Sequence, residues 1–220
     1  MKYLGEQPAS DTFGPLLLGA LLGAAGAYSV WQRARRSPEV IARAHVARTF
    51  QNIRLFQQMT VLENVLVGME TGLTTRFWHA LLRLPHYWKE HRESISKAME
   101  ILRFVELEGE AHAIAAGLSY GHQRRLEIAR ALASQPKLLL LDEPAAGMNP
   151  SESSELMELI RKIRDTGISV LLIEHHMNVV MGVSDRIVVL DYGNKIAEGV
   201  PDAIKADARV KTAYLGTSDV

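Results

Sequence analysis

Lys137-Leu138-Leu139-Leu140-Leu141-Asp142-Glu143-Pro144 is the stretch that decides the fold. A short continuous apolar run bounded by breakers suits a strand buried on both faces of a parallel sheet. Upstream, Ser119 precedes a helix expected through about Ala133, and His45 to Phe50 (HVARTF) reads as a short strand, with a loop over Gln51 to Gln58. Thr60 and Glu63 have the spacing of a capping box, and Leu62, Val65 and Leu66 then share one helical face. Trp78 to Leu107 reads as mostly helical with a break near Pro85, because Ile95, Met99, Ile101, Leu102 and Val105 keep helical spacing. Downstream, Pro150 to Asp165 is an amphipathic helix, Ile168 to Ile173 a second buried strand, Met177 to Gly182 helical and Ile187 to Leu190 a third strand. Tyr192 to Ile196 make a turn at Gly193 and a short strand. Strands alternating with helices imply an α/β fold with a parallel, doubly wound sheet. Ligands of such sheets bind at the carboxyl ends of the strands. Gln51, Asp142, Glu143 and His175 all fall there.

Composition narrows the function. The chain has 220 residues, 47% of them hydrophobic, with 25 basic and 25 acidic side chains and no cysteine. A zero formal charge without a basic stripe gives no support to a nucleic-acid partner. The lack of cysteine excludes disulfides, thiolate metal sites and a cysteine nucleophile. Residues 1 to 44 read differently from the rest. Leu16 to Trp31 is an uncharged run of 16 residues, short of the ~20 that span a bilayer. Gly19 and Gly23 form a small-xxx-small pair, and Arg33, Arg35 and Arg36 follow at once. A buried or poorly ordered apolar terminal helix is the expectation, ahead of a membrane anchor. The composition boundary falls near His45.

Two motifs carry chemistry. An apolar strand that delivers the adjacent carboxylates of Asp142 and Glu143 can place one on Mg²⁺ and the other on a water attacking a γ-phosphate. About 20 residues earlier stands Leu118-Ser119-Tyr120-Gly121-His122-Gln123-Arg124-Arg125. Ser119 is a plausible N-cap, Gly121 lets a phosphate approach the backbone, and the helix N-terminus there attracts anions. Each residue alone has a plainer reading, as a capped helix or a pair of solvated acids. The phrase and its spacing are far harder to obtain by accident.

The run from Leu118 to Pro150 resembles the signature motif, Walker B strand and D-loop of an ABC transporter ATPase. The resemblance implies a P-loop NTPase-like core with a helical signature subdomain over about 60–133, and subunits that pair head to tail. It implies ATP and Mg²⁺ as cofactors, with Asp142 and Gln51 at the metal, and Glu143, His175 and Gln51 as catalytic residues. Ser119, Tyr120, Gly121 and His122 would contact the nucleotide of the partner subunit, and Gly147, Met148 and Asn149 would form the D-loop. The subtype resembles the branched-chain amino acid importer, through Val46 to Phe56, the insertion around Thr71 to Glu93, Asp142 to Pro150 and the ending Gly199 to Gly216. The likeness covers about residues 45 to 216, leaving 217–220 as a tail. The implied partners are permease membrane subunits, a second ATPase subunit and, indirectly, a periplasmic amino-acid-binding protein. The implied location is the cytoplasmic face of the bacterial inner membrane. A lipopolysaccharide-export ATPase has a similar ending and ranks second.

One element of that family is missing. A P-loop, G-x-x-x-x-G-K-[ST], gives backbone N–H groups and a lysine to the phosphates. No lysine in this chain directly follows a glycine, and Met1 to Ala44 stands where the motif belongs. Three readings therefore stand: an impaired transport ATPase, a non-catalytic module that completes a partner's site, or a truncated chain whose first 44 residues are foreign.

Overall fold

The computed structural model describes residues 10–34, 40–41, 44–69 and 85–215. The expectations for residues 71–84 and for 216–220 lie outside these. The chain divides into two units, Met1–Ala44 and His45–Val220. The described part of the first contains α1 (Ser10–Ala34), in which Leu21, Leu22 and Val30 are exposed. Among the described residues no helix is long and apolar enough to cross a membrane.

The second unit is built on three parallel strands in the order β1 (Val46–Arg48), β2 (Leu138–Asp142), β3 (Ser169–Ile173). Register places Leu139 beside Ala47 and Val170, and Asp142 beside Ile173. Leu139 and Leu141 point into the core and are fully buried. Four helices supply much of the rest of that core. They are α2 (Val61–Gly68), α3 (Pro85–Phe104), α4 (Tyr120–Ala133) and α5 (Pro150–Asp165), contributing among others Val65, Leu102, Leu126 and Ile163. The capping box of α2 is present, with Thr60 N–H donating to Glu63 Oε2 at 2.8 Å and Glu63 N–H donating to Thr60 Oγ1 at 3.2 Å. Asn149 and Glu152 form a second one at α5, where Pro150 takes the first helical position. Charge ties the helices together: Arg125 of α4 meets Glu106 beyond α3 and Glu155 of α5, and Lys162 of α5 also reaches Glu106. The hydrogen bonds from Lys162 and then Arg125 hold the Glu106 carboxyl below its ordinary pKa.

Two expectations change here. First, β2 and β3 are not buried on both faces. Leu138, Leu140 and Asp142 are only partly covered, and on the same face Leu171 and Ile173 of β3 are 55% and 56% exposed. A continuous apolar run reveals that a strand is built to be covered twice, but not whether both covers are at hand. Second, the third strand does not join the parallel sheet. Ile187–Asp191 (β4) pairs antiparallel with Asn194–Gly199 (β5), turning at Tyr192-Gly193, where both residues have positive φ. This hairpin gathers a small core of its own, Ile187, Ala197, Ile204 and Val210. Helices α6 (Met177–Val183), α7 (Pro201–Ala206) and α8 (Ala208–Leu215) frame it.

Helices α2 and α4 approach closely at Gly68, where a Cβ would collide with the Arg130 carbonyl oxygen and the Ala133 methyl. Gly68→Ala is expected to force the pair apart and lower stability by about 1–3 kcal/mol, the usual cost of overpacking. Urea unfolding of the two chains measures it.

Candidate functional site

The carboxyl ends of β1, β2 and β3 bring four polar residues together. β2 ends at Asp142, and the next residue, Glu143, takes a left-handed backbone with φ 43°. Such a conformation is uncommon outside glycine and persists where the surroundings enforce it. Here the Glu143 N–H donates to the Ile173 carbonyl at 2.9 Å, which fixes the turn against β3. The carboxylate then meets the loop after β1 on one side and the loop after β3 on the other. Gln51 Nε2 donates to Glu143 Oε2 at 2.8 Å, and His175 Nδ1 stands 3.5 Å from Oε1. Asp142, on the open sheet face, receives Arg48 at 2.9 Å. The cluster is therefore two carboxylates, one guanidinium, one amide and one imidazole, open on one side to solvent.

Four further residues hold this arrangement, and motif reading gave them no role. Arg124 and Glu127 on α4 form a 2.7 Å ion pair with side chains 0% and 2% exposed. Both ends grip the loop that carries Gln51. Arg124 donates to the carbonyls of Phe50 and Gln51 at 2.8 and 2.9 Å, and Glu127 Oε1 accepts from the N–H groups of Phe50 and Arg54 at 3.4 Å. Arg48 and Arg54 flank the Phe50 ring, 5.3 and 4.6 Å from its centroid. The far end of the loop is stitched by Asn64, fully buried, which bonds the Phe56 backbone in both directions. The fourth residue is Glu174. Its buried carboxylate accepts from the N–H groups of Ala145, His175 and His176, joining the loops after β2 and β3. A sequence signal existed for the ion pair: Arg124 and Glu127 lie three residues apart beside Leu126 and Ile128, an unlikely place for solvated charge.

The signature residues form a second group at the start of α4. Ser119 is the N-cap, its side chain accepting from His122 N–H at 3.3 Å. His122 Nδ1 lies 2.9 Å from Glu110 Oε1, so its ring is turned toward the preceding 3₁₀ segment. Gly121 is buried, with the Glu152 carboxylate where a side chain would begin. The Tyr120 ring faces Gly147, whose φ of 76° makes the turn before α5. Asn149 caps α5, while Met148 packs against the core. Tyr120 thus neighbours Gly147 and Gly121 neighbours Glu152 of the α5 capping box, while Gln51, Asp142, Glu143 and His175 make their own contacts at the strand ends.

Known proteins place this geometry in a family. The ABC transporter family profile matches residues 16–146, reaching further toward the N-terminus than the motifs suggested. A branched-chain amino acid ATP-binding cassette transporter profile matches 194–220. The chain is 47% identical over 177 residues to the high-affinity branched-chain amino acid transport ATP-binding protein LivG of Escherichia coli K12, an alignment covering 80% of this chain and 69% of LivG. Its structure is similar to the ADP conformation of MJ1267, an ATP-binding cassette of an ABC transporter. The TM-score is 0.67 and the identity 30%, over 82% of this chain and 72% of that one. It is also similar to the dimeric, post-hydrolysis ATP-binding cassette MJ0796 bound to ADP and Pi, with TM-score 0.57 and 28% identity over 71% and 62% of the two chains. The chain belongs to the ATP-binding proteins of ABC transporters, within the branched-chain amino acid importer type.

Proposed function

We propose that this chain is an ATP-binding subunit of a branched-chain amino acid importer, working in a pair whose other subunit supplies the phosphate cradle. The observation that carries the reading is the approach of Gln51 Nε2 and His175 Nδ1, at 2.8 and 3.5 Å, to one carboxylate, that of Glu143. In a pair where a triphosphate reaches these strand ends, Glu143 would orient and deprotonate the attacking water, with the Gln51 amide fixing the direction of its carboxylate, and His175 would face the γ-phosphate. Asp142 offers partly open oxygen donors of the kind Mg²⁺ takes, with Arg48 as the cation now beside it. Asp142 and Gln51 would hold that ion, which would supply charge offsetting the phosphate oxygens.

The cradle itself is a different matter. Backbone N–H groups of a glycine-rich loop and its lysine supply most of the phosphate anchoring. No lysine here directly follows a glycine, so the residues present do not fit a triphosphate held by this chain alone. They do fit a contribution in trans. Ser119 and Gly121 stand at the N-terminus of a 14-residue helix, where free N–H groups and the helix dipole favour an anion brought by a partner. The permease and an external amino-acid-binding protein then set which amino acid moves, because specificity resides in the site that holds the cargo. The chain would act on the cytoplasmic face of the membrane, beside the permease.

Binding of MgATP to the purified chain carrying Glu143→Gln, which blocks turnover, tests the missing cradle. No saturable binding below millimolar ATP is expected, and tight binding would show a phosphate site elsewhere in the chain. In a heterodimer with a P-loop-bearing subunit, Ser119→Ala together with Gly121→Val is expected to lower turnover at the partner's nucleotide on the order of 100-fold, the usual cost of removing preorganised donors. Unchanged turnover would remove the trans role. Arg124→Met leaves Glu127 as an uncompensated buried charge and is expected to cost about 3–5 kcal/mol. Amide exchange at Phe50 to Arg54 should rise as the loop carrying Gln51 is released.

A further inference from the structure

The loop after β3 carries two adjacent imidazoles that core packing does not consume. The rings of His175 and His176 lie 4.3 Å apart, inclined by 36°. Their side chains are 62% and 51% exposed, and Glu174 beside them is fully buried. Glu174 is held from below by main-chain donors, Oε1 accepting from Ala145 N–H at 3.0 Å and Oε2 from His175 N–H at 3.1 Å. Oε2 also lies 3.1 Å from His176 Nδ1. One donor atom from each of Glu174, His175 and His176 can be chosen so that all three lie within 4.8 Å of one another. Glu143 stands next to this trio, 3.5 Å from His175 Nδ1.

We propose that Glu174, His175 and His176 form a binding site for a divalent transition-metal ion of the Zn²⁺ class. Two imidazoles and a carboxylate are the donor set that borderline-soft ions select, while Mg²⁺ prefers oxygen alone. A tetrahedral ion with bonds of about 2.0–2.1 Å needs donors about 3.4 Å apart. The rings reach that spacing by rotating about side-chain bonds, which their exposure permits, while the buried Glu174 stays fixed by the backbone. An imidazole ligand commonly donates its other ring N–H to a carboxylate, which sets the ring's orientation, and Glu143, 3.5 Å from His175 Nδ1, is placed to receive His175 so.

The site has a consequence for turnover, and this part alone rests on the function proposed above. An ion bound here engages His175 and sits beside Glu143, the two groups assigned to the γ-phosphate and the water. Occupancy by the transition metal therefore acts as a brake, distinct from Mg²⁺ held at Asp142.

Metal uptake is read without nucleotide, so it stands or fails apart from the ATPase reading. The full chain is titrated with Zn²⁺ by calorimetry, and with Co²⁺ while following the visible absorption of a four-coordinate ion. One equivalent is expected. His176→Gln and His175→Gln should each weaken uptake at least tenfold and abolish the Co²⁺ bands. His112→Ala, which removes an exposed imidazole elsewhere, should leave both signals unchanged. Both test positions are exposed, so either variant keeps the core, and a circular dichroism spectrum matching the parent confirms it. No stoichiometric uptake, or uptake that survives both substitutions, or uptake lost equally in His112→Ala, overturns the site.

Discussion

The polar edge of the sheet depends on one buried ion pair. Arg124 and Glu127 sit on the signature helix with almost no exposure, yet their hydrogen bonds run outward to the main chain of Phe50, Gln51 and Arg54. Two charges removed from water are tolerable only when donors and acceptors are nearly all met. Here the loop after β1 is what meets them. The cost of burying the pair and the ordering of the loop are thus one transaction, and the loop cannot leave without stranding the charges. Arg124 Nε alone lacks a partner, so the pair stands near the limit of what it can lose. Because the helix that carries the pair also begins at Ser119, the group that would face a partner's nucleotide and the group that would face the water share a rigid element.

The sheet has a different character. Its core face is closed by α2, α4 and α5, with Leu139 and Leu141 fully buried, while the opposite face presents Leu171 and Ile173 to solvent. Among the described residues β3 has a paired neighbour only on the β2 side, and β4 turns away to pair with β5. A parallel strand normally lies between two layers. The leucine-rich composition of β2 and β3 is therefore matched to a sheet more fully covered than the described residues make it. This also explains why the polar cluster is so open, since Asp142 belongs to the uncovered face.

Much of this was legible in the residues. The capping box at Thr60 and Glu63, the helix starting after Ser119 and the convergence of Gln51, Glu143 and His175 follow from local chemistry and from where parallel strands end. What escaped was set by tertiary partners. The sequence of β4 is as apolar as that of β3, and nothing in Ile187 to Leu190 says whether it pairs in parallel with a distant strand or with its immediate successor. Arg124 and Glu127 stand beside Leu126 and Ile128, a sign of burial, but nothing in that pattern names the loop they hold. Glu174 likewise reads as a polar neighbour of His175, and its work lies in three backbone contacts invisible to side-chain pattern.

Those contacts give position 176 an unusual freedom. Glu174 anchors the loop through the main chain of Ala145, His175 and His176, and a main-chain anchor does not depend on which side chain follows. The backbone path of the loop is therefore insulated from the identity of residue 176, so an exchange there alters ligand chemistry at the edge of the cluster without redrawing its geometry. In evolutionary terms the loop is a platform on which a new coordinating group can be tried by a single codon change while the polar cluster beside it is kept.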